Sequence, residues 1–193
     1  MSTLLLTLGA ALAAAPVPAE GPRLRVTAFN EMTALPFTAL VAAPLHPGGA
    51  AGVSLWERRG DRLDHRLWLS ASGYYHPLVE TSLALGAEWQ TTLWATRWTG
   101  LSVHAGLGPK LAIYPGPTWT PQGDGSFEPR THLGQPGASA TLRLGLEVPV
   151  AARWSALVQY GATFDAPFHV NNALPFMTHV MLHVGVEHRF GRS

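Results

Sequence analysis

Nine histidines are the residues of this chain best equipped for chemistry, and His179 with His183 is the pair whose spacing first suggests a metal ion. On a helix, residues four apart can grip one ion from one face. On a strand they also share a face but stand about 13 Å apart, too far for a single zinc. The sequence around them alternates as a strand does, so no metal site and no cofactor are expected, and both rings are read as hydrogen-bonding groups near Glu187 and Arg189. Serine chemistry is equally thin. Ser102-Val103-His104 carries the right types on one face, while Asp124, Ser126 and His132 fall in a polar stretch where such residues are ordinary turn formers. Arg59-Gly60-Asp61 reads as a tight turn. The absence of cysteine removes thiolate ligands, a thiol nucleophile and disulfides. A net charge of +1, with no run of Lys and Arg to neutralise successive phosphates, excludes nucleic acid as a partner.

The elements that must position these residues are strands, because hydrophobicity alternates with a period of two. Leu101, Val103, Ala105, Leu107, Leu111 and Ile113 oppose Ser102, His104, Gly106, Gly108 and Lys110. Ala140, Leu142, Leu144, Leu146 and Val148 oppose Ser139, Thr141, Arg143, Gly145 and Glu147. The segments from Trp154 to Phe164 and from Val180 to Phe190 divide in the same way, and noisier ones run from Arg23 to Glu31, Gly48 to Glu57, His65 to Tyr75 and Glu80 to Thr92. Eight strands result.

Their two faces differ in kind. The polar face mixes small residues with charges of both signs, Arg25, Glu31, Glu80, Glu88, Lys110, Arg143, Glu147, Glu187 and Arg189, beside His104 and His183. The apolar face has almost no charge in mid-strand, which is odd for a surface in water. Charged residues make up only 13% of the chain, about half the share usual in soluble domains. Many segments run about 9–11 residues, the length a tilted strand needs to cross hydrocarbon. The expected fold is therefore all-β: a single eight-stranded antiparallel up-and-down transmembrane β-barrel spanning 20–193. Its interior is just wide enough for side chains, and the listed charges are expected to pair there as a packed polar lumen.

An N-terminal leader fits this address. Leu4 to Ala15 is an apolar stretch too short to span a bilayer, running into small residues and prolines, so residues 1–19 read as a signal peptide cleaved after Ala13 or Ala19. Of the four connections on the expected outer side, Ala34–Pro47, Tyr114–Gly137 and Asp165–Phe176 are long and His76–Val79 is short, while those on the other side are tight or of short to medium length. Trp89, Tyr160 and Phe164 point outward by parity, as interface aromatics would; Trp56 and Trp68 point inward.

Pro44-Leu45-His46-Pro47-Gly48 with Gly52 and Trp56, Gly73-Tyr74-Tyr75-His76-Pro77, Gly134-Gln135-Pro136 and Leu182-His183-Val184-Gly185-Val186 carry a likeness over most of the chain. In these phrases it resembles a family of small uncharacterised outer-membrane β-barrel proteins of Gram-negative bacteria. The chain departs from that class of barrel by placing Gly191-Arg192-Ser193 after the aromatic Phe190. The resemblance implies fold and address only and points to no particular activity; outer-membrane lipid, lipopolysaccharide and the barrel-assembly machinery are the expected partners, and a monomer is the expected state. The expected role is structural or loop-mediated binding. The alternative is an enzyme modifying lipid A, a deacylase or acyltransferase. Against the deacylase, no His-x-Ser pair occurs, and Ser102 and His104 face the lumen, away from acyl chains; the loop trio Asp124, Ser126 and His132 keeps an acyltransferase open. A third reading, a soluble lipocalin-like periplasmic carrier, would turn the apolar face inward.

Overall fold

The computed structural model describes residues 21–35, 45–130, 134–167 and 176–191; the leader expected over 1–19, and His132, lie outside them. Ten strands follow one another: β1 (Arg23–Met32), β2 (His46–Arg58), β3 (Leu63–Tyr75), β4 (Thr81–Thr96), β5 (Thr99–Ile113), β6 (Thr118–Pro121), β7 (Phe127–Arg130), β8 (Gln135–Ala151), β9 (Trp154–Ala166) and β10 (Met177–Arg189). Eight of them close a barrel in the order β1-β2-β3-β4-β5-β8-β9-β10 and back to β1, with every neighbouring pair antiparallel. No helix occurs among the described residues.

Period-two alternation becomes inside and outside. In β5, Leu101, Val103 and Leu107 are exposed on the outer wall, Leu107 to 67%, while Ser102, His104 and Lys110 are buried within. The same inversion holds around the ring, with Leu24, Val26, Leu69, Leu85, Leu142, Leu144, Val158 and Val184 facing out. An apolar outer wall around a charged interior is solvated by lipid and not by water, which sets aside the soluble carrier.

Three features depart from the sequence expectation. The barrel strands run from 10 residues in β1 to 17 in β8. At about 3.3 Å per residue and a tilt near 40°, the longer ones outreach the ~25 Å apolar band and carry the wall past the membrane surface. The long connection between β5 and β8, read as irregular, contains the β6–β7 hairpin. Asp124 closes its turn by accepting from the amide and hydroxyl of Ser126 at 2.9 and 2.6 Å, and those bonds hold its carboxyl below the usual range.

The third departure is Trp56. A bulge between Ser54 and Trp56 inserts one residue into β2, so the parity that places Ser54 inside is reversed beyond it. Trp56 therefore faces outward and stacks on Trp89 at 5.4 Å between ring centroids. Similar irregularities at Trp94/Thr96 and Pro149/Ala151 also lie where β4 and β8 run into short turns. Trp68 keeps the inward position expected of it and is fully buried.

One contact makes glycine obligatory. Pairing of β4 with β5 lapses between Ala84↔Lys110 and Ala87↔Leu107, beside Pro109, which brings no amide to the ladder. A Cβ on Gly108 would lie 1.8 Å from the carbonyl oxygen of Leu85, whereas one on Gly123 would meet nothing within 4 Å. Gly108→Ala is expected to destabilise the barrel by about 1–3 kcal/mol, and Gly123→Ala to stay within about 0.5 kcal/mol. Denaturant midpoints in detergent micelles, followed by tryptophan fluorescence, check both.

Candidate functional site

Closing the sheet gathers the polar faces of eight strands into one lumen, whose charges fall into three levels along the axis. At the end carrying the short turns, Arg23 makes a two-pronged pair with Glu57, Nε to Oε2 at 3.1 Å and Nη2 to Oε1 at 2.8 Å. Its remaining nitrogen donates to Glu187 at 2.5 Å. Arg66, wholly buried, donates to Glu147 at 2.9 Å and to Asp64 at 3.3 Å. Trp94 Nε1 donates to the same Asp64 oxygen at 2.8 Å. Arg189 stands at the rim of this level, beside a cavity of about 150 Å³.

At mid-height, Arg25 and Arg143 converge on Glu88 from β1 and β8, bridging the lumen to β4. The Arg25 guanidinium also lies over the Trp68 ring, 4.4 Å from its centroid, and Trp68 Nε1 donates to Gln90 at 2.8 Å. His104 packs against Glu88 at 3.0 Å and meets Ser102 Oγ at 2.9 Å. His183 lies 3.2 Å from Thr27 Oγ1. A cavity of only about 60 Å³, walled by small residues such as Ser70, Gly86 and Gly106, separates this level from the next.

At the end carrying the long loops, Lys110 pairs with both Glu80 and Asp165, and Tyr74 donates its hydroxyl to Glu80. Both ring nitrogens of His179 face carboxylates, Nδ1 to Glu31 Oε1 at 2.8 Å and Nε2 to Asp165 Oδ2 at 3.2 Å, which uses both N–H groups of a protonated ring. On the other side of Glu31, His46 Nδ1 stands 3.3 Å from Oε2, and the His46 ring lies 3.6 Å from that of His76. His76 belongs to the β3–β4 loop, where burial and the neighbouring His46 push its imidazole below the ordinary histidine range.

The eleven polar residues singled out in the sequence thus occupy different levels: Arg189, Glu147 and Glu187 at the turn end, Arg25, Glu88, His104, Arg143 and His183 in the middle, Glu31, Glu80 and Lys110 at the loop end. Among the described residues, their ion pairs fall within these levels. Several partners were missed. Arg23, Asp64, Arg66 and Asp165 obey the same parity; His179, read from the sequence as a hydrogen-bonding group near Glu187 and Arg189, instead meets Glu31 and Asp165 at the loop end. Glu57 was hidden by the bulge that also misplaced Trp56. His46 and His76 flank loops, where parity carries no signal.

Comparison with solved structures follows this geometry. The chain is similar to the crystal structure of Neisserial surface protein A (NspA), at a TM-score of 0.52 and 15% identity, over 88% of this chain and 97% of that one. It is also similar to a structure from the de novo design of transmembrane β-barrels, at a TM-score of 0.50 and 10% identity, over 91% and 100%. No protein-family model and no curated protein matches the sequence. The fold is that of an outer-membrane barrel. Its apolar outer wall is suited to contact with membrane lipid.

The middle level is the most exacting, because one carboxylate there answers two guanidiniums. Removing one partner of a buried ion pair leaves the other uncompensated, at about 3–5 kcal/mol. Glu88→Gln is expected to lower stability by that amount, while Glu128→Gln, on the exposed hairpin, stays within about 0.5 kcal/mol. Unfolding midpoints of the two variants against wild type decide it.

Proposed function

We propose that this protein is an outer-membrane barrel with a closed lumen, which acts through its loop end as a structural or binding protein. The observation that carries this reading is the crossing of the lumen by Arg25, Glu88 and Arg143, with Trp68 beneath Arg25. With eight strands the interior has no width to spare, and the side chains tied across it at three levels stand beside cavities of about 10, 60 and 150 Å³ among the described residues. Ions or solutes would have to break those pairs to pass.

The binding half of the proposal rests on the β6–β7 hairpin. Trp119 pairs with Pro129 and Pro121 with Phe127, so all four share one face, while Thr120 and Glu128 take the other. Trp119 and Phe127 are both 62% exposed. Such a two-faced extension at the loop end suits contact with other molecules outside the cell. In this reading the chain is exported behind the leader at 1–19, folded by the barrel-assembly machinery, and works as a monomer among outer-membrane lipid and lipopolysaccharide, with the turn end towards the periplasm.

A lipid A-modifying enzyme finds less support. Ser126 Oγ donates to Asp124 within the hairpin turn, which is a turn-stabilising bond and not the activation of a nucleophile by a histidine base. Ser102 and His104 lie within hydrogen-bond distance but inside the lumen, screened from acyl chains by the wall.

Two measurements test the proposal. In planar bilayers, wild-type barrel is expected to give no sustained ohmic steps; steady open-channel current would overturn the closed lumen. Mass spectra of lipid A from cells with and without the protein are expected to be the same, and a gained or lost acyl chain would replace binding with catalysis.

A further inference from the structure

The loop end holds two clusters of metal-ligating side chains, Glu80 with Asp165 and His179, and Glu31 with His46 and His76; in each, one ligand atom per residue lies within 4.8 Å of the others. They differ in what fills them. In the first, the Lys110 ammonium already sits on both carboxylates, so its cation is supplied by the chain. In the second, Glu31 Oε2 and His46 Nδ1 are buried and have no hydrogen-bond partner among the described residues. Glu31 is fully buried, and a carboxylate oxygen left unpaired at that depth is costly.

We propose that Glu31, His46 and His76 form a binding site for a divalent transition metal of the zinc type at the loop end of the barrel. The spacing of two of the ligand atoms supports it. Zinc bonded to nitrogen at about 2.0–2.1 Å and to carboxylate oxygen at about 2.0–2.2 Å sets its tetrahedral ligands about 3.3–3.5 Å apart. His46 Nδ1 and Glu31 Oε2 are 3.3 Å apart, one edge of such a tetrahedron.

The surroundings hold these ligands in place. Glu31 Oε1 accepts from His179 Nδ1 at 2.8 Å and from Thr33 Oγ1 at 3.0 Å, leaving Oε2 as the free oxygen. Asn30 Oδ1 accepts from the His46 amide at 2.8 Å and fixes the start of β2. His76 Nδ1 accepts from the amides of Leu78 and Val79 at 3.2 and 3.1 Å. A metal taking that lone pair would displace both amides, which lie in a turn open enough for water to replace it: Leu78 is 84% exposed.

Two histidines and one carboxylate are the donor set of a zinc site that retains a water in its fourth position. An ion here would tie β1, β2 and the β3–β4 loop together and neutralise Glu31 Oε2, a buried carboxylate oxygen with no hydrogen-bond partner among the described residues.

The test uses the full barrel in detergent micelles, stripped with chelator and titrated with zinc chloride by calorimetry, with cobalt(II) absorption as a second probe. Wild type is expected to bind one equivalent and to give the visible bands of four-coordinate cobalt. His46→Gln with His76→Gln is expected to weaken binding by about 100-fold or more, whereas His65→Gln with His188→Gln, on the outer wall, binds as wild type does. Wild type that takes up no zinc, or a His46/His76 double variant that binds within threefold of wild type, would overturn the proposal. Should that variant not fold, as judged by heat-modifiable gel migration, Glu31→Gln takes its place with the same expectation. Failure here leaves the closed-lumen reading untouched, because no step of that reading uses a metal.

Discussion

The seam between β1 and β10 is the contact on which the rest of the molecule depends. Ten residue pairs, from Arg23↔Arg189 to Met32↔Val180, join the two ends of the sheet. In hydrocarbon an unpaired strand edge leaves a row of amides and carbonyls with no partner, so an open sheet is not an available state. Closure then dictates the interior. Eight strands leave room for side chains and little else, so every charge on the inner face meets a partner across the lumen or stays buried alone. Arg23 shows how tightly seam and lumen are joined, since it stands on β1 and binds Glu57 on one neighbouring strand and Glu187 on the other.

Three levels of charge follow from that crowding, and they differ in tolerance. At the turn end, Arg23 and Arg66 share Glu57, Glu147 and Glu187, and Arg66 also reaches Asp64, so each guanidinium has more than one carboxylate within reach. At mid-height, Arg25 and Arg143 share only Glu88. Trp68 offers the Arg25 guanidinium a ring face, a favourable contact but a weaker one than a second carboxylate. The middle is thus where packing and charge must both be right.

Much of this was legible in the sequence because a strand's side chains alternate and a barrel has only two faces. Leu101 through Lys110 divide by parity into wall and lumen, and the structure divides them in the same way. Parity fails where the chain gains a residue. The bulge at Ser54/Trp56 sent Trp56 out to stack on Trp89 and turned Glu57 in to meet Arg23, and one unseen insertion accounts for both errors. It also says nothing about level: Glu80 and Glu147 both face inward, yet they lie at opposite ends of the axis because register, not composition, sets height. The hairpin of Thr118–Pro121 and Phe127–Arg130 was masked by prolines and glycines that read as loop, although its pairing leaves Pro121 and Pro129 within short strands at an exposed edge.

The two ends of the barrel face different demands, and their side chains differ accordingly. The turn end is held by arginine, whose charge persists at any physiological pH and whose planar fork fits carboxylates two-pronged. The loop end is built from His46, His76, His179, Lys110 and Tyr74, and the imidazoles and the phenol among them can both donate and accept. Nothing about sealing a barrel requires that difference, since arginine and glutamate would close the loop end as well. A lumen locked by invariant charge at one end and lined by adaptable ligands at the other is an asymmetric object. That asymmetry supports the proposed binding on the side of the long loops.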